Sequence, residues 1–232
     1  MIKAVVFDID GTLTDMERQL DPLSMKAISR LDVPAILATG NVHCFTRAAA
    51  ILLGASLTFI SENGGVISYE DGPLEILADV SLCKAAYERL KEVYPLQMFD
   101  NRYRVTDIVL KRDFDLEGAI RHLEKYGISV DLLDSEFAVH IKDRSVDKGK
   151  ALLQVMDRLD LDPEEVAAVG DSRSDLPMFR VAGFSATVAN ASSEVKEAAD
   201  YVSTAKYGKG AYEIVDRMIC EGMFQSWSTT TA

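Results

Sequence analysis

The chain opens with an apolar stretch over residues 2–9 that is short, rich in Val, Ile and Phe, and broken by Asp8 and Asp10 before Gly11. That pattern predicts a buried strand ending in a turn. Leu23, Ala27, Ile28 and Leu31 then fall on one face and predict a helix over residues 22–31. Residues 33–38 predict a second strand, stopped at "TGN". A helix over residues 43–53 follows, with Gly54 placed as a left-handed terminator. A third strand is predicted at residues 57–61, running into "ENGG". Strands alternating with helices imply a parallel sheet with helices on its faces.

The rhythm changes after about residue 80. Leu82, Ala85, Ala86, Leu90 and Val93 predict a helix, and residues 105–110 a strand. Leu116, Ala119, Ile120 and Leu123 repeat at helical spacing between Asp115, a natural N-cap, and Gly127, a natural terminator. Residues 128–133 and 137–141 predict two further strands. Two helices on a small, partly antiparallel sheet would form a separate lobe over residues 81–146. The βα rhythm then resumes, with a helix carrying Leu152, Val155, Met156 and Leu159 and an apolar strand at 166–169. Shorter strands are predicted at 185–188 and 201–202, and a helix over 211–221. The tail "QSWSTTTA" is polar and aperiodic and is expected to be loose. The expected architecture is therefore a doubly wound, Rossmann-like parallel-sheet core, residues 1–80 and 147–232, with a small α+β domain inserted.

Ligands of open parallel sheets bind beyond the carboxyl ends of the strands. The residues at those ends here are Asp8 and Asp10 after the first strand, Thr39, Gly40 and Asn41 after the second, and "GDSRSD", with Asp171 and Asp175, after residue 169. Lys148 in "DKGK" opens the helix preceding that last strand. Taken singly, each has an ordinary explanation as a turn, a cap or a solvated cation. Together they would put four carboxylates, an ammonium and a hydroxyl on one rim. Carboxylates that close repel strongly unless a cation compensates. Oxygen-rich ligands without clustered histidines suit Mg2+, and the backbone at Gly40 and Asn41 is placed to face an anion. A calcium-binding EF-hand starting at Asp8 fails, because Leu13 and Gln19 stand where Gly and Glu are needed. Asn63 and Asn190 follow core strands and are candidates for the same rim. His43, His122 and His140 lack metal-ligand spacing and read as structural, and Cys44 has no activating neighbour.

Composition narrows the classes. A hydrophobic share of 48% over 232 residues supports a sizeable packed core. A net charge of −12, with no basic stripe, excludes a nucleic-acid surface as an expectation. No apolar run is long enough for a membrane span. Three widely spaced cysteines without CxxC point to a reducing, cytoplasmic setting.

These residues resemble the haloacid dehalogenase-like phosphatases in all four of that family's motifs. "DIDGT" corresponds to the first, Thr39 in "ATGN" to the second, Lys148 in "DKGK" to the third and "GDSRSD" to the fourth. The insertion is similar to the α/β cap of the type IIB branch, and the short cap is most like that of archaeal-type phosphoglycolate phosphatases. The resemblance implies a Mg2+-dependent phosphatase, with Asp8 as nucleophile and Asp10 as general acid and base. It implies Asp8, the Asp10 backbone, Asp171 and Asp175 around the metal, and Thr39, Gly40, Asn41 and Lys148 around the phosphoryl group. It implies a small phosphorylated metabolite as the partner of a monomer or homodimer, with 2-phosphoglycolate as the substrate and a sugar phosphate as the alternative. Two positions depart from the family pattern: Asn41, where many relatives carry Arg, and Ser174, where many carry Asn. Arg102, Arg104, Lys142 and Arg144 are the cations that could meet a carboxylated leaving group. A phosphotransferase or mutase, or a receiver-like phospho-aspartate module, remains an alternative at this level.

Overall fold

The computed structural model describes residues 1–135 and 137–224, so the tail expected to be loose lies outside the described residues. The first strand, β1 (Ala4–Phe7), is followed by α1 (Pro22–Ile28), β2 (Ala35–Ala38), α2 (His43–Leu53) and β3 (Phe59–Ser61). A hairpin, β4 (Val66–Ser68) and β5 (Glu75–Ile76), then leads into α3 (Val80–Lys91). Next come β6 (Ile108–Lys111), α4 (Leu116–Lys125), β7 (Val130–Asp134) and β8 (Ala138–Asp143). The chain continues through α5 (Lys148–Arg158), β9 (Val166–Gly170), α6 (Leu176–Phe179) and β10 (Phe184–Thr187). It finishes with α7 (Ser193–Ala198), β11 (Tyr201–Val202) and α8 (Tyr207–Cys220).

Eight strands form one sheet in the order β11-β10-β9-β1-β2-β3-β4-β5, parallel from β11 to β3 and antiparallel beyond. Both faces are covered, which is why β1 and β9 read as unbroken apolar runs rather than alternating ones. Val5, Phe7, Leu37 and Val169 pack with Ile214, Val215 and Met218 of α8 on one face. Ala4, Val6, Ile36 and Ala168 pack with Leu152, Val155 and Met156 of α5 on the other. The fold is mixed α/β with a mostly parallel central sheet, as the alternating pattern predicted.

The second sheet has the order β6-β8-β7 and is antiparallel throughout. Its apolar side, with Leu110, Val130 and Ile141, packs against Cys83, Ala86 and Leu90 of α3 and Ala119 and Leu123 of α4. The cluster is distinct from the two that flank the large sheet. Asp115 caps α4 through the Gly118 amide, and Gly54 and Gly127 adopt the left-handed φ expected of them.

The differences from the sequence pattern are local. β1 stops at Phe7 because the Ile9 carbonyl turns back to the amides of Leu13 and Thr14. β6 starts later than the pattern suggested because the amides of Val105 and Thr106 bond the Glu62 carboxylate instead of a strand partner. The hairpin β4–β5 and the six-residue α7 were absent from the sequence reading, since elements this short show no periodicity. The last helix begins at Tyr207, four residues before the apolar pattern suggested, within the glycine-containing "YGKG".

Candidate active site

The register of the large sheet fixes the site. Phe7 pairs with Val169 on one side and Leu37 on the other, so all three strands end at one level. Asp8, Thr39 and Asp171 therefore follow neighbouring strand ends. The Asp8 amide still bonds the Val169 carbonyl at 2.9 Å, continuing the ladder one residue past β1. Side chains alternate along a strand, so Asp8 follows Val6 toward the α5 face.

Lys148, the first residue of α5, meets it there. Its Nζ lies 2.6 Å from Asp8 Oδ1 and 2.6 Å from Asp175 Oδ1. A cation at a helix N-terminus opposes the helix dipole, and this one is only 1% exposed. Its two carboxylate partners outweigh both costs. Burial acts to lower Lys148, yet the charges of Asp175 and Asp8 hold it above the ordinary lysine range.

Asp175 is fully buried and uses both oxygens. Oδ1 accepts from Lys148, and Oδ2 accepts from the amides of Asp171 and Ser172 and from the Ser172 hydroxyl. Asp171 Oδ1 accepts from Thr12 Oγ1 at 2.9 Å, and Asn190 Nδ2 bridges the Gly11 carbonyl and Asp171 Oδ2. Gly11 sits at φ +84°, and a Cβ there would lie 2.3 Å from Asp171 Oδ2. Only glycine lets the first loop approach this carboxylate.

Carboxylate oxygens of Asp8, Asp171 and Asp175 lie within 4.8 Å of one another. Three acids around one ammonium leave the group short of positive charge. Burial, then the charge of Asp175, pushes Asp171 up to about 7. Burial likewise holds Asp8 well above the usual carboxylate range, with Lys148 pulling against it and Asp175 and Asp171 adding to it. Such a set fits a hard divalent cation, which supplies the missing charge to oxygen donors.

Asp10 is aimed elsewhere. Its Oδ1 accepts from Arg18 Nε at 2.8 Å, and its Oδ2 from Asn41 Nδ2 at 2.6 Å and from the Arg18 guanidinium at 3.3 Å. Arg18 also donates to Asn41 Oδ1, and Asn41 in turn reaches Thr39 Oγ1 through both its amide and its Nδ2. The cation that the family pattern places after Gly40 is thus replaced by one arriving from the loop after β1. Ser174, at the other departure, bonds Ser172 Oγ at 2.8 Å.

A cavity of about 770 Å³ joins these residues to the inserted lobe, with Asp8, Asp10, Thr39, Gly40, Lys148 and Asp171 in its wall. Asp175 lies behind it, as Lys148's second partner. Asn63 and Asn190 line it, and so does His140, which the sequence reading left as structural. Its signal was the strand alternation: Ile141 faces the lobe's core, which turns its neighbour His140 to the opposite side. Arg18 gave no signal, since it lies in an aperiodic loop.

The lobe meets the core through a second polar cluster. Glu62 accepts from the amides of Val105 and Thr106 and from the Thr106 hydroxyl. Burial, then the charge of Asp107, raises Glu62 above its ordinary range. Arg104 NH1 holds both oxygens of Asp107 at 2.7 and 2.9 Å, and His140 Nδ1 lies 2.8 Å from Asp107 Oδ2. Burial acts to raise Asp107, but the His140 hydrogen bond and the Arg104 charge keep it below the usual carboxylate range.

A parallel sheet carries a buried acid, a lysine and a further acid pair at its carboxyl rim, and the chain belongs to the haloacid dehalogenase-like hydrolases. That family's model matches residues 5–99 and 88–215. Among curated proteins, a phosphoglycolate phosphatase of Methanothrix thermoacetophila is 51% identical over 96% of this chain and 100% of its own. Another, from Archaeoglobus fulgidus, is 45% identical over 91% of this chain and 94% of its own. A crystal structure from Thermoplasma acidophilum superposes with a TM-score of 0.86 at 25% identity, covering 94% of this chain and 99% of that one. A haloacid dehalogenase-like hydrolase from Bacteroides thetaiotaomicron shares the fold, with a TM-score of 0.75 at 20% identity, over 94% of this chain and 100% of its own. No helix among the described residues is long and apolar enough to cross a membrane.

Proposed function

We propose that the protein is a Mg2+-dependent phosphatase that hydrolyses 2-phosphoglycolate to glycolate and phosphate in the cytoplasm. The observation that carries the reading is the buried Asp8–Lys148–Asp175 chain with Asp171 beside it. The curated relatives named phosphoglycolate phosphatase, at 51% and 45% identity, supply the substrate. Residues 1–80 and 147–232 would act as the catalytic core and residues 81–146 as a cap that shields the reaction from water.

Asp8 is the nucleophile in this reading. Lys148 occupies its Oδ1, while Oδ2 has no hydrogen-bond partner among the described residues. That oxygen attacks phosphorus, the bond to the glycolate oxygen breaks, and an aspartyl-phosphate forms. Asp10, in its protonated form, gives that proton to the leaving alkoxide and is left as the carboxylate that Arg18 and Asn41 hold. It then takes a proton from the water that attacks the aspartyl-phosphate, releasing phosphate and restoring Asp8. Thr39 and the amides of Gly40 and Asn41 hold the phosphoryl oxygens, and Lys148 offsets charge shared between nucleophile and phosphate. Asp8, the Asp10 backbone carbonyl, Asp171 and Asp175 would hold Mg2+. When bound it supplies the positive charge that keeps Asp8 ionised and draws the phosphate dianion toward it.

Phosphate release from 2-phosphoglycolate, sugar phosphates and a nucleotide, with and without Mg2+, tests the reading. The expected result is Mg2+-dependent turnover that prefers 2-phosphoglycolate and falls by about 10^4-fold or more in Asp8→Asn. Turnover retained in that variant would sink the covalent route.

A further inference from the structure

A phosphatase for a carboxylated substrate must also hold the carboxylate. Of the four cations that could do so, three do not line the cavity. Arg102 pairs with Asp100 on the surface, while Lys142 and Arg144 both pair with Asp131. Lys142 also donates to the Val146 carbonyl at 2.7 Å. Of those four, only Arg104 lines the cavity that contains Asp8 and Asp10, a wall it shares with Arg18, Arg112, Arg173 and Lys148.

Arg104 is held in a fixed pose. Its side chain is 10% exposed, NH1 is tied to both Asp107 oxygens, and NH2 donates to the Gly40 carbonyl at 3.1 Å. Asp107 sits behind it, outside the cavity wall, and shares Oδ2 with His140. The Asp107 charge is therefore divided between two donors and does not fully satisfy Arg104. The Arg104 Nε has no partner among the described residues.

The position matters as much as the free donor. Gly40 is the middle of the Thr39–Gly40–Asn41 turn to which the phosphoryl group is assigned. Asn63 fills the adjoining space: its side chain would lie 3.0 Å from a Cβ at Gly40 and is 3.3 Å from His140 Nδ1. A second anionic group can meet Arg104 only if it is very near the phosphate. In 2-phosphoglycolate, one ester oxygen and one methylene separate phosphorus from the carboxylate. A sugar phosphate presents no anion at that reach.

We propose that Arg104, positioned by Asp107 and His140, is the carboxylate anchor of this enzyme and selects short phosphorylated 2-hydroxy acids. The proposal rests on the phosphatase reading above. A planar guanidinium with its fork already fixed loses little freedom on gripping a carboxylate, which favours Arg over Lys for this task.

The test compares kcat/KM for 2-phosphoglycolate with that for ethyl phosphate, which has the same ester but no carboxylate, in wild type, Arg104→Gln and Arg104→Lys. The expected result is that the ratio of the two falls by about 30-fold or more in Arg104→Gln, with a smaller fall in Arg104→Lys. Thermal melting of each variant reports whether the fold survives, and Arg104→Lys, which keeps the charge, carries the test if Arg104→Gln does not fold. An unchanged ratio, whatever the absolute rates, overturns the proposal and assigns Arg104 a purely structural role. Asp8-dependent turnover of ethyl phosphate by the wild type reports on the phosphatase reading separately, so the two ideas fail by different signals.

Discussion

Asp8, Asp171 and Asp175 lie at the rim of the large sheet with one buried cation, Lys148, among them. Glu62 and Asp107 are as deeply buried, where the inserted lobe meets the core, but Arg104, His140, two backbone amides and a threonine hydroxyl surround them. The second cluster puts a donor on each of its carboxylate oxygens, as buried polar groups in a stable fold usually have. The first does not. Both Asp8 and Asp171 are displaced upward there, whereas in the second cluster burial raises Glu62 but His140 and Arg104 hold Asp107 down. One cluster has donors on its oxygens as folded; the other would be completed by a bound cation. Unbalanced ionisable groups in a cavity mark where chemistry is done, while the balanced ones next to them mark what holds the walls in place.

The largest effect expected follows from removing the one buried cation. Lys148→Ala leaves Asp8 and Asp175 buried without a cation, and breaking such a pair costs about 3–5 kcal/mol. Urea denaturation should show a loss of that size in metal-free protein, together with loss of turnover. Added Mg2+ should recover part of the stability, because a second cation enters the same cluster. An unchanged urea midpoint would mean that the acids do not depend on Lys148, and the contrast between the clusters would collapse.

Asp171→Asn sharpens the contrast from the other direction. Asp171 is pushed up to about 7 in the fold, well above its value in an unfolded chain. A raised carboxylate makes the folded state bind more protons than the unfolded one between those values, so stability falls as pH rises through that window. Metal-free wild type should therefore melt lower at pH 8 than at pH 5, after the contributions common to Asp171→Asn are subtracted. Mg2+ should raise the wild-type melting temperature more at pH 8 than at pH 5, and have a much smaller effect on Asp171→Asn. Equal Mg2+ shifts in both proteins would place the ion outside this cluster.

The two clusters were not equally legible in the sequence. Asp8, Asp10, Asp171 and Asp175 stood out because acids interrupt apolar strands at their carboxyl ends, where a parallel sheet presents its ligand rim. Lys148 was readable as the first residue of a helix, though its burial was not. Arg104 and Asp107 are three residues apart, but His140 reaches Asp107 across 33 residues and Glu62 reaches Thr106 across 44. No local period encodes such a meeting. Arg104 was one of four equivalent-looking cations, and only the fold tells it from Arg102, Lys142 and Arg144. The edge hairpin was unreadable for another reason, being too short to alternate.

Arg18 belongs to neither cluster and is the control on the comparison. Its side chain is 45% exposed and pairs with Asp10, which is itself 24% exposed. An ion pair this close to water contributes little to stability, so Arg18→Ala should move the urea midpoint by no more than about 0.5 kcal/mol. The carboxylate of Asp10 would nevertheless lose two of its three hydrogen bonds and keep only Asn41 Nδ2. A proton donor free to rotate away from the leaving oxygen spends less time in the reactive geometry, and kcat/KM should fall by about 10-fold. Asn41→Ala should add to that loss in the double variant, since it removes the remaining tether. A stability loss in Arg18→Ala comparable to that of Lys148→Ala would show that exposure does not separate the charges that hold the fold from those that aim the chemistry.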